Sequence, residues 1–481
     1  MRYWLAVLLI CSGLAHTADP EQHWRVVLFD GRKVGHALSE RRVDAGTVHS
    51  LEVLDLHIQR DSTSVPLYSE SSFTESASGA PLSFAVRTRT SQIESLLRGR
   101  VLGPGRAEVV ETTGGRVATR EIKFDATALF AEAQLRKLRN SGLKPGSTVR
   151  FMAFEPSLLE AIAVETRVLD WRNVALLERD MRLLEVRQTV RYPQAEVEVV
   201  AFVDQQFNPY RTKMNLLGMD IEMVEGTRAQ ALGANQPVDY LSKLLLQAPR
   251  SLSAAETKQG LRYELEVSAA AGAALPPVTD EQAVSKAAKR LQVDVCARCG
   301  SANPKDRNAE ALALAKQPTG WLQSDDPAIR SAAKRGAGAA NTDLKRMQAL
   351  EAFVRQHISN KNLAVGYASA REVLDSREGD CTEHALLLAA LGRALQIPTR
   401  VATGFAYAPG YLGQAKVFVP HAWAQAYVDG RWQSFDAALS GFDAGHLTLS
   451  VGDGDPSRFY AGMQLLGNLK IRSISALGAA Q

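Results

Sequence analysis

Cysteine is scarce in this chain, with four among 481 residues, and no two pairs stand at the spacing of a zinc site. Long apolar runs are absent beyond the first residues, which excludes a helical membrane protein. Charge blocks are missing too. The formal net charge is only +4 and no long acidic or basic run occurs, so composition gives nucleic-acid binding no support. The length leaves room for two to four domains.

The one apolar run begins almost at once. Arg2 supplies a short positive start, and Tyr3 to Leu14 is a core of signal-peptide length, too short to span a bilayer. Small residues follow, and cleavage after Ala15 or Ala18 is expected. Cys11 invites a lipoprotein reading, but Ile10 before it is too bulky. The expected compartment is therefore the periplasm, with secretion as the variant. Removing Cys11 leaves Cys296, Cys299 and Cys381. In an oxidising compartment the simplest reading of Cys296-Ala297-Arg298-Cys299 is a small local disulfide, with redox or metal roles still open. Cys381 is then the odd thiol, and a free thiol in an exported protein calls for a reason.

That reason lies in Gly379-Asp380-Cys381-Thr382-Glu383-His384, followed by the apolar run Ala385 to Leu391. Asp380 is a natural N-cap and Glu383 completes a capping box. Cys381 then falls on the first helical turn, where free N–H groups and the helix dipole favour a thiolate. The helix is expected to end near Gln396-Ile397-Pro398. Pro420 to Val428 alternates like a strand and carries His421. Asp429-Gly430 makes a hairpin turn, Arg431 to Phe435 returns, and Asp436 stands at its end. A thiol, an imidazole and a carboxylate in that order suit a relay: the thiolate attacks an acyl carbon, the imidazole carries the proton, the carboxylate orients the ring. His384 reads as a buried helper and His446, with no partner visible, as structural. His357 is expected to face solvent.

These blocks, with Ile397-Pro398-Thr399-Arg400-Val401, His421-Ala422-Trp423 and Trp432, resemble the transglutaminase-like superfamily. The resemblance runs from about Leu344 to Leu439, about a fifth of the chain. It implies a papain-like α+β core and a Cys381–His421–Asp436 triad, with no metal or organic cofactor. Gln425 departs from the pattern, where an acidic residue is common, and Ala437 stands where proline is common. Neither is a triad position; both argue against a close match to the protein-crosslinking enzymes.

Upstream, residues 20 to about 270 read as β-rich. Asp30-Gly31 and Gly114-Gly115 are hairpin turns, and alternating segments recur as far as Val197 to Val203. One helix is expected from an Asp125 cap to a Gly142 stop. Met214, Leu216, Leu217, Met219 and Met223 form an apolar cluster, with core packing favoured over a groove. Thr279 or Asp280 is expected to cap a short helix, Pro327 to open another, and Asp343 to Ile358 to form an amphipathic third. The expected fold class is α+β: a signal peptide at 1–18, a β-rich accessory domain at 19–270 with antiparallel sheet, a helical linker with the CxxC pair at 271–340, and a catalytic core at 341–481.

The chemistry expected is amide-bond acyl transfer through a Cys381 thioester. Water as acceptor makes a peptidase or amidase, an amine makes a transglutaminase, and hydrolysis is favoured. The Cys381 N–H is one oxyanion donor; Tyr367 and Asn362 are weak candidates for a second. The expected substrate is a peptide or protein of the cell envelope. The alternative is a non-catalytic envelope binding or assembly protein, in which the β-rich half binds an unknown partner and the core is a scaffold.

Overall fold

The computed structural model describes residues 20–477, apart from 61–62, 91–92, 143, 193–194, 217–218, 239, 269–274, 288–289, 362–366 and 456–464. Its fold is α+β, with a large antiparallel sheet ahead of a core of helices packed on a smaller sheet. The signal-peptide expectation at 1–18 lies outside the described residues.

Fourteen strands between Glu21 and Glu225 form one antiparallel sheet. The first eight add sequentially by hairpins, ending at Arg116–Lys123. The last six run from Thr148–Glu155 back to Met219–Glu225, which pairs with the first strand, Glu21–Phe29. Two of the turns are legible in the sequence. Asp30 and Gly31 have φ of 46° and 77°, and Gly114 and Gly115 of 56° and 77°, the left-handed pair that a two-residue hairpin turn needs. The sheet curls, since Phe84 and Phe154 lie on strands far apart in the sheet order, yet their rings are 4.8 Å apart. Phe130 stacks on Phe154 at 5.0 Å and joins them in one buried cluster. Met214, Met219 and Met223 pack on Val27, Phe29 and Ile221, so they are core; nothing is described of the Leu216 and Leu217 side chains.

The expected helix is shorter than the sequence suggests. It spans Ala131–Asn140, and its first residues have no cap of their own. Asp125 instead closes a turn, accepting from the Thr127 N–H at 2.8 Å. Glu75, buried on the Thr63–Ser76 strand, accepts from the N–H groups of Glu132 at 2.7 Å and Ala133 at 3.0 Å. A cap supplied from a distant strand leaves no local signature.

The segment after residue 278 corrects a second expectation. No helix follows Thr279 or Asp280. Gln282–Ala287 and Arg290–Val295 are strands in a four-stranded sheet with Leu261–Val267 and Leu469–Ala476. Asp280 holds loops together, accepting from the N–H groups of Ala302 (3.1 Å) and Trp432 (2.8 Å). Alternating burial of Leu291, Val293 and Val295 against that sheet outweighs the helix preference of the alanines and lysine. Helices appear only later in the stretch, at Ala309–Leu314 and Pro327–Ala337. Asp326 caps the second of these, with Pro327 in the position expected.

The core stacks four helices, Pro327–Ala337, Asp343–His357, Ala370–Ser376 and Cys381–Ala394, on a five-stranded antiparallel sheet. Gln414–Val428 pairs on one side with Thr399–Tyr411 and on the other with Arg431–Phe435 and the short Leu246–Gln247; His446–Gly452 lies beyond Thr399–Tyr411. The Asp429-Gly430 turn has φ of 52° and 76°. Ala385 to Leu391 is fully enclosed by the other helices and the sheet. His357 is not solvent-facing. It is half-buried, stacked on Phe353, with Nε2 2.8 Å from the Leu374 carbonyl.

Candidate active site

Cys381 is the first residue of its helix, as the sequence requires. Asp380 accepts from the Thr382 N–H at 2.9 Å, and Glu383 accepts from the Asp380 N–H at 2.9 Å, so the capping box is complete. Glu383 is fully enclosed, and its second oxygen accepts from the Ala368 N–H at 3.0 Å. Burial, with the adjacent Asp380, pushes its carboxyl well above the usual range. Gly379 approaches it with φ of +146°, and a Cβ there would lie 2.3 Å from the Glu383 Cβ, so only glycine fits. Cys381 is half-buried, outside any disulfide, and packs on the cluster that includes Ala422 and Ala437.

Those two alanines flank the other members of the expected triad. His421 sits on the Gln414–Val428 strand, and its Nε2 lies 2.8 Å from Asp436 Oδ2. Asp436 follows the return strand with no exposure. Its Oδ1 accepts from the N–H groups of Ala438 at 2.9 Å and Leu439 at 3.1 Å. Its own N–H donates to Glu351 at 2.8 Å, and Arg355 donates to its carbonyl at 3.0 Å. Burial alone would raise this carboxyl, but the His421 and His446 imidazoles outweigh it and hold it far below the carboxylate range. An ionised Asp436 accepts a hydrogen bond from His421 Nε2–H and leaves Nδ1 as the His421 nitrogen that can serve a thiol.

His446 is the group that sequence reasoning missed. It is not a lone structural side chain: its Nε2 is 3.1 Å from the same Asp436 Oδ2 that His421 uses. No sequence signal marks it, because strand pairing alone brings the two residues together. His421, Asp436 and His446 place one ligand atom each within 4.8 Å of one another, so they are also the residues that could hold a metal ion. Their contacts are of hydrogen-bond length and complete one another as they stand.

A polar chain runs behind Trp423. Its indole N–H donates to Ser434 Oγ at 3.1 Å, and Ser434 Oγ donates to Glu281 at 2.5 Å. Gln425 donates to Ser434 at 3.1 Å and accepts from Arg400 at 2.9 Å. Arg400 lies over the Trp432 ring at 4.1 Å. Gln425 is therefore a two-way connector, and the nearby buried carboxyl comes from Glu281, far upstream. Burial pushes Glu281 up to about 7. Cys296 and Cys299 form a disulfide, and the Cys296 N–H donates to the Glu281 carbonyl at 3.1 Å.

Of the two candidates for a second oxyanion donor, Tyr367 is committed elsewhere. Tyr367 gives its hydroxyl proton to the Gly454 carbonyl at 2.6 Å, and Asn362 lies outside the described residues. His384 is buried, as expected. Its Nδ1 is 2.6 Å from the Asp380 carbonyl, and its Nε2 has no hydrogen-bond partner among the described residues.

Residues 330–437 match the family described as the transglutaminase-like superfamily. No curated protein matches the chain. Among solved structures, the chain is similar to a "Putative Cysteine Protease from Cytophaga hutchinsonii", with 17% identity, a TM-score of 0.28, and 45% of this chain and 87% of that one covered. A "Beta-barrel-like Protein of Domain of Unknown Function DUF1849 from Brucella abortus" shares 11% identity at a TM-score of 0.35, over 43% of this chain and 96% of that one. A "putative protease from Parabacteroides distasonis" shares 11% at 0.19, over 76% and 69%. Likenesses this distant carry no weight for the fold or the chemistry.

Proposed function

We propose that this chain, whose residues 330–437 belong to the transglutaminase-like superfamily, is an exported cysteine enzyme that cleaves amide-bonded acyl groups. The observation that carries the reading is the enclosed His421–Asp436 pair at 2.8 Å, on a strand packed against the helix that Cys381 opens. Cys381 gives its proton to His421 Nδ1, and the thiolate attacks the amide carbonyl carbon. The Cys381 N–H, at the helix start, faces the developing oxyanion. His421 returns the proton to the leaving nitrogen as the C–N bond breaks, which leaves a thioester. Water, with His421 as base, cleaves the thioester, releases the acid and restores the thiol. Asp436 stays ionised throughout and fixes the ring.

Hydrolysis is the preferred outcome because water is everywhere the competing acceptor; an amine in its place would transfer the acyl group. The proposed substrate is a peptide or protein of the cell envelope, and the proposed compartment is the periplasm, on the strength of residues 1–18. No helix among the described residues is long and apolar enough to cross a membrane. Size favours a second reading, a non-catalytic envelope binding protein, since the fourteen-stranded sheet spans more of the chain than the core does. Activity-based labelling of envelope extracts from wild type and Cys381→Ala separates the two. Uncleaved substrates should accumulate in the variant, while identical peptide profiles would favour the binding protein.

A further inference from the structure

Asp436 holds two imidazoles on one oxygen. His421 Nε2 is 2.8 Å from Oδ2 and His446 Nε2 is 3.1 Å from it, with the ring centroids 5.7 Å apart. The other side of the His446 ring is equally committed. Its Nδ1 lies 3.1 Å from the Asp443 carbonyl oxygen and 3.3 Å from the Asp443 carboxylate. The Asp443 N–H is also 3.3 Å from that nitrogen, but two oxygens, one of them charged, face it against this single donor. Trp423 meets the ring edge-on at 5.2 Å and Phe442 covers it at 4.9 Å, so the side chain is 3% exposed. A buried ring with an oxygen at each nitrogen is satisfied as an imidazolium, which donates from both.

We propose that His446 is a positioning residue for the reaction. Clamped between Asp436 and Asp443, it fixes Oδ2 in place and takes up part of the Asp436 charge that would otherwise fall entirely on His421. This rests on the reading above that His421 is the proton carrier. The charged and titratable groups facing His446 come from four places. Asp443 precedes its own strand, Asp436 follows the return strand, His421 lies on the Gln414–Val428 strand, and Glu281 precedes the Gln282–Ala287 strand. Burial opposes its charge, yet the hydrogen bonds to Asp436 and Asp443 outweigh that and raise its pKa. A carboxylate oxygen held from its far side by a second ring cannot swing away from His421, so the Nε2–H···Oδ2 bond that sets the His421 tautomer is kept.

The test follows the His421 tautomer directly, by nitrogen-15 NMR of histidine-labelled full chain, with His421→Gln to assign the signal. In wild type the Nε2–H form should predominate; in His446→Ala, which removes the clamp, the Nδ1–H form should appear beside it. Asp443→Asn weakens the clamp without touching Asp436, and should change the ratio the same way by less. Thermal unfolding checks that each variant is folded; if His446→Ala is not, Asp443→Asn alone decides. A tautomer ratio that stays put in a folded variant overturns the inference. Iodoacetamide labelling of Cys381 is run alongside. A changed ratio beside a sluggish Cys381 would sink the enzyme reading and keep the clamp; a reactive Cys381 with an unchanged ratio would sink the clamp alone.

Discussion

Glu281 sits under Ser434, its carboxyl accepting from the Ser434 N–H at 3.1 Å and from its hydroxyl at 2.5 Å, in a place where burial raises it to about 7. A carboxyl raised on folding stabilises the native state fully below its unfolded pKa, near 4.5, and that contribution is lost as pH rises through about 7. Wild type should therefore lose about 3 kcal/mol from this group between pH 4.5 and 8. Glu281→Gln, which cannot ionise, should flatten that part of the profile. Denaturant titrations at pH 5 and pH 8 would show it, and equal slopes in both proteins would contradict it. Asp436 works in the opposite sense. Its lowered pKa gives stability that is present above the ordinary carboxylate range and lost only in strong acid. Replacing it with Asn should disturb the His421 tautomer more than the fold. The expected result is alkylation of Cys381 slowed at least tenfold at neutral pH, with little change in circular dichroism. At this scale the capping box and the His421–Asp436 pairing were legible, because each sits in a local pattern. Glu281 and His446 were not, because Ser434 lies far along the chain from Glu281 and only the fold turns Asp436 toward His446.

Helix ends and turns show the same division between local and distant cause. The three glycine turns at Gly31, Gly114–Gly115 and Gly430 could be read directly, since a positive φ leaves a residue-type signature. The helix Ala131–Asn140 could not be bounded, because its cap is Glu75. Removing that carboxylate leaves two buried N–H groups unpaired, so Glu75→Ala should cost about 2 kcal/mol. Asp125→Ala, which loses only an exposed turn contact, should cost less than about 0.5 kcal/mol. Equal losses by chemical denaturation would return the cap to Asp125. Gly379 is the other sensitive end. A side chain there meets Glu383 in a strained backbone conformation, and Gly379→Ala should destabilise by about 2 kcal/mol while misplacing Cys381. The strands at 282–295 were misread as helix because alanine and lysine favour helix locally, and only the sheet partners Leu261–Val267 overrule them.

Across the molecule, one contact between the large sheet and the core is a hairpin tip. A Cβ on Gly320 would lie 2.6 Å from the Thr113 Cβ, one on Gly114 would lie 2.8 Å from Gln323 Nε2, and Arg116 pairs with Asp325. Gly320 precedes Trp321, whose ring meets Tyr367 at 4.9 Å in the cluster that also contacts Cys381. Gly320→Val should push the tip off. Hydrogen exchange across 106–123 should then rise while the rest of the sheet stays protected; no change would mean that the tip is not held there. The overall class, a β-rich sheet ahead of an α+β core, was readable from alternation and motif. The curl of the sheet was not, because it depends on phenylalanines meeting from strands far apart in order.

Everything in the functional account turns on the sulfur of Cys381 being worked by His421. The most direct measurement is the rate of iodoacetamide alkylation of Cys381 against pH, read by intact mass on chain lacking residues 1–18, with Cys296 and Cys299 left in their disulfide. The account predicts fast labelling that persists into mildly acidic pH and falls at least tenfold in His421→Ala. Labelling at the rate and pH dependence of an ordinary thiol, unchanged by His421→Ala, would contradict it.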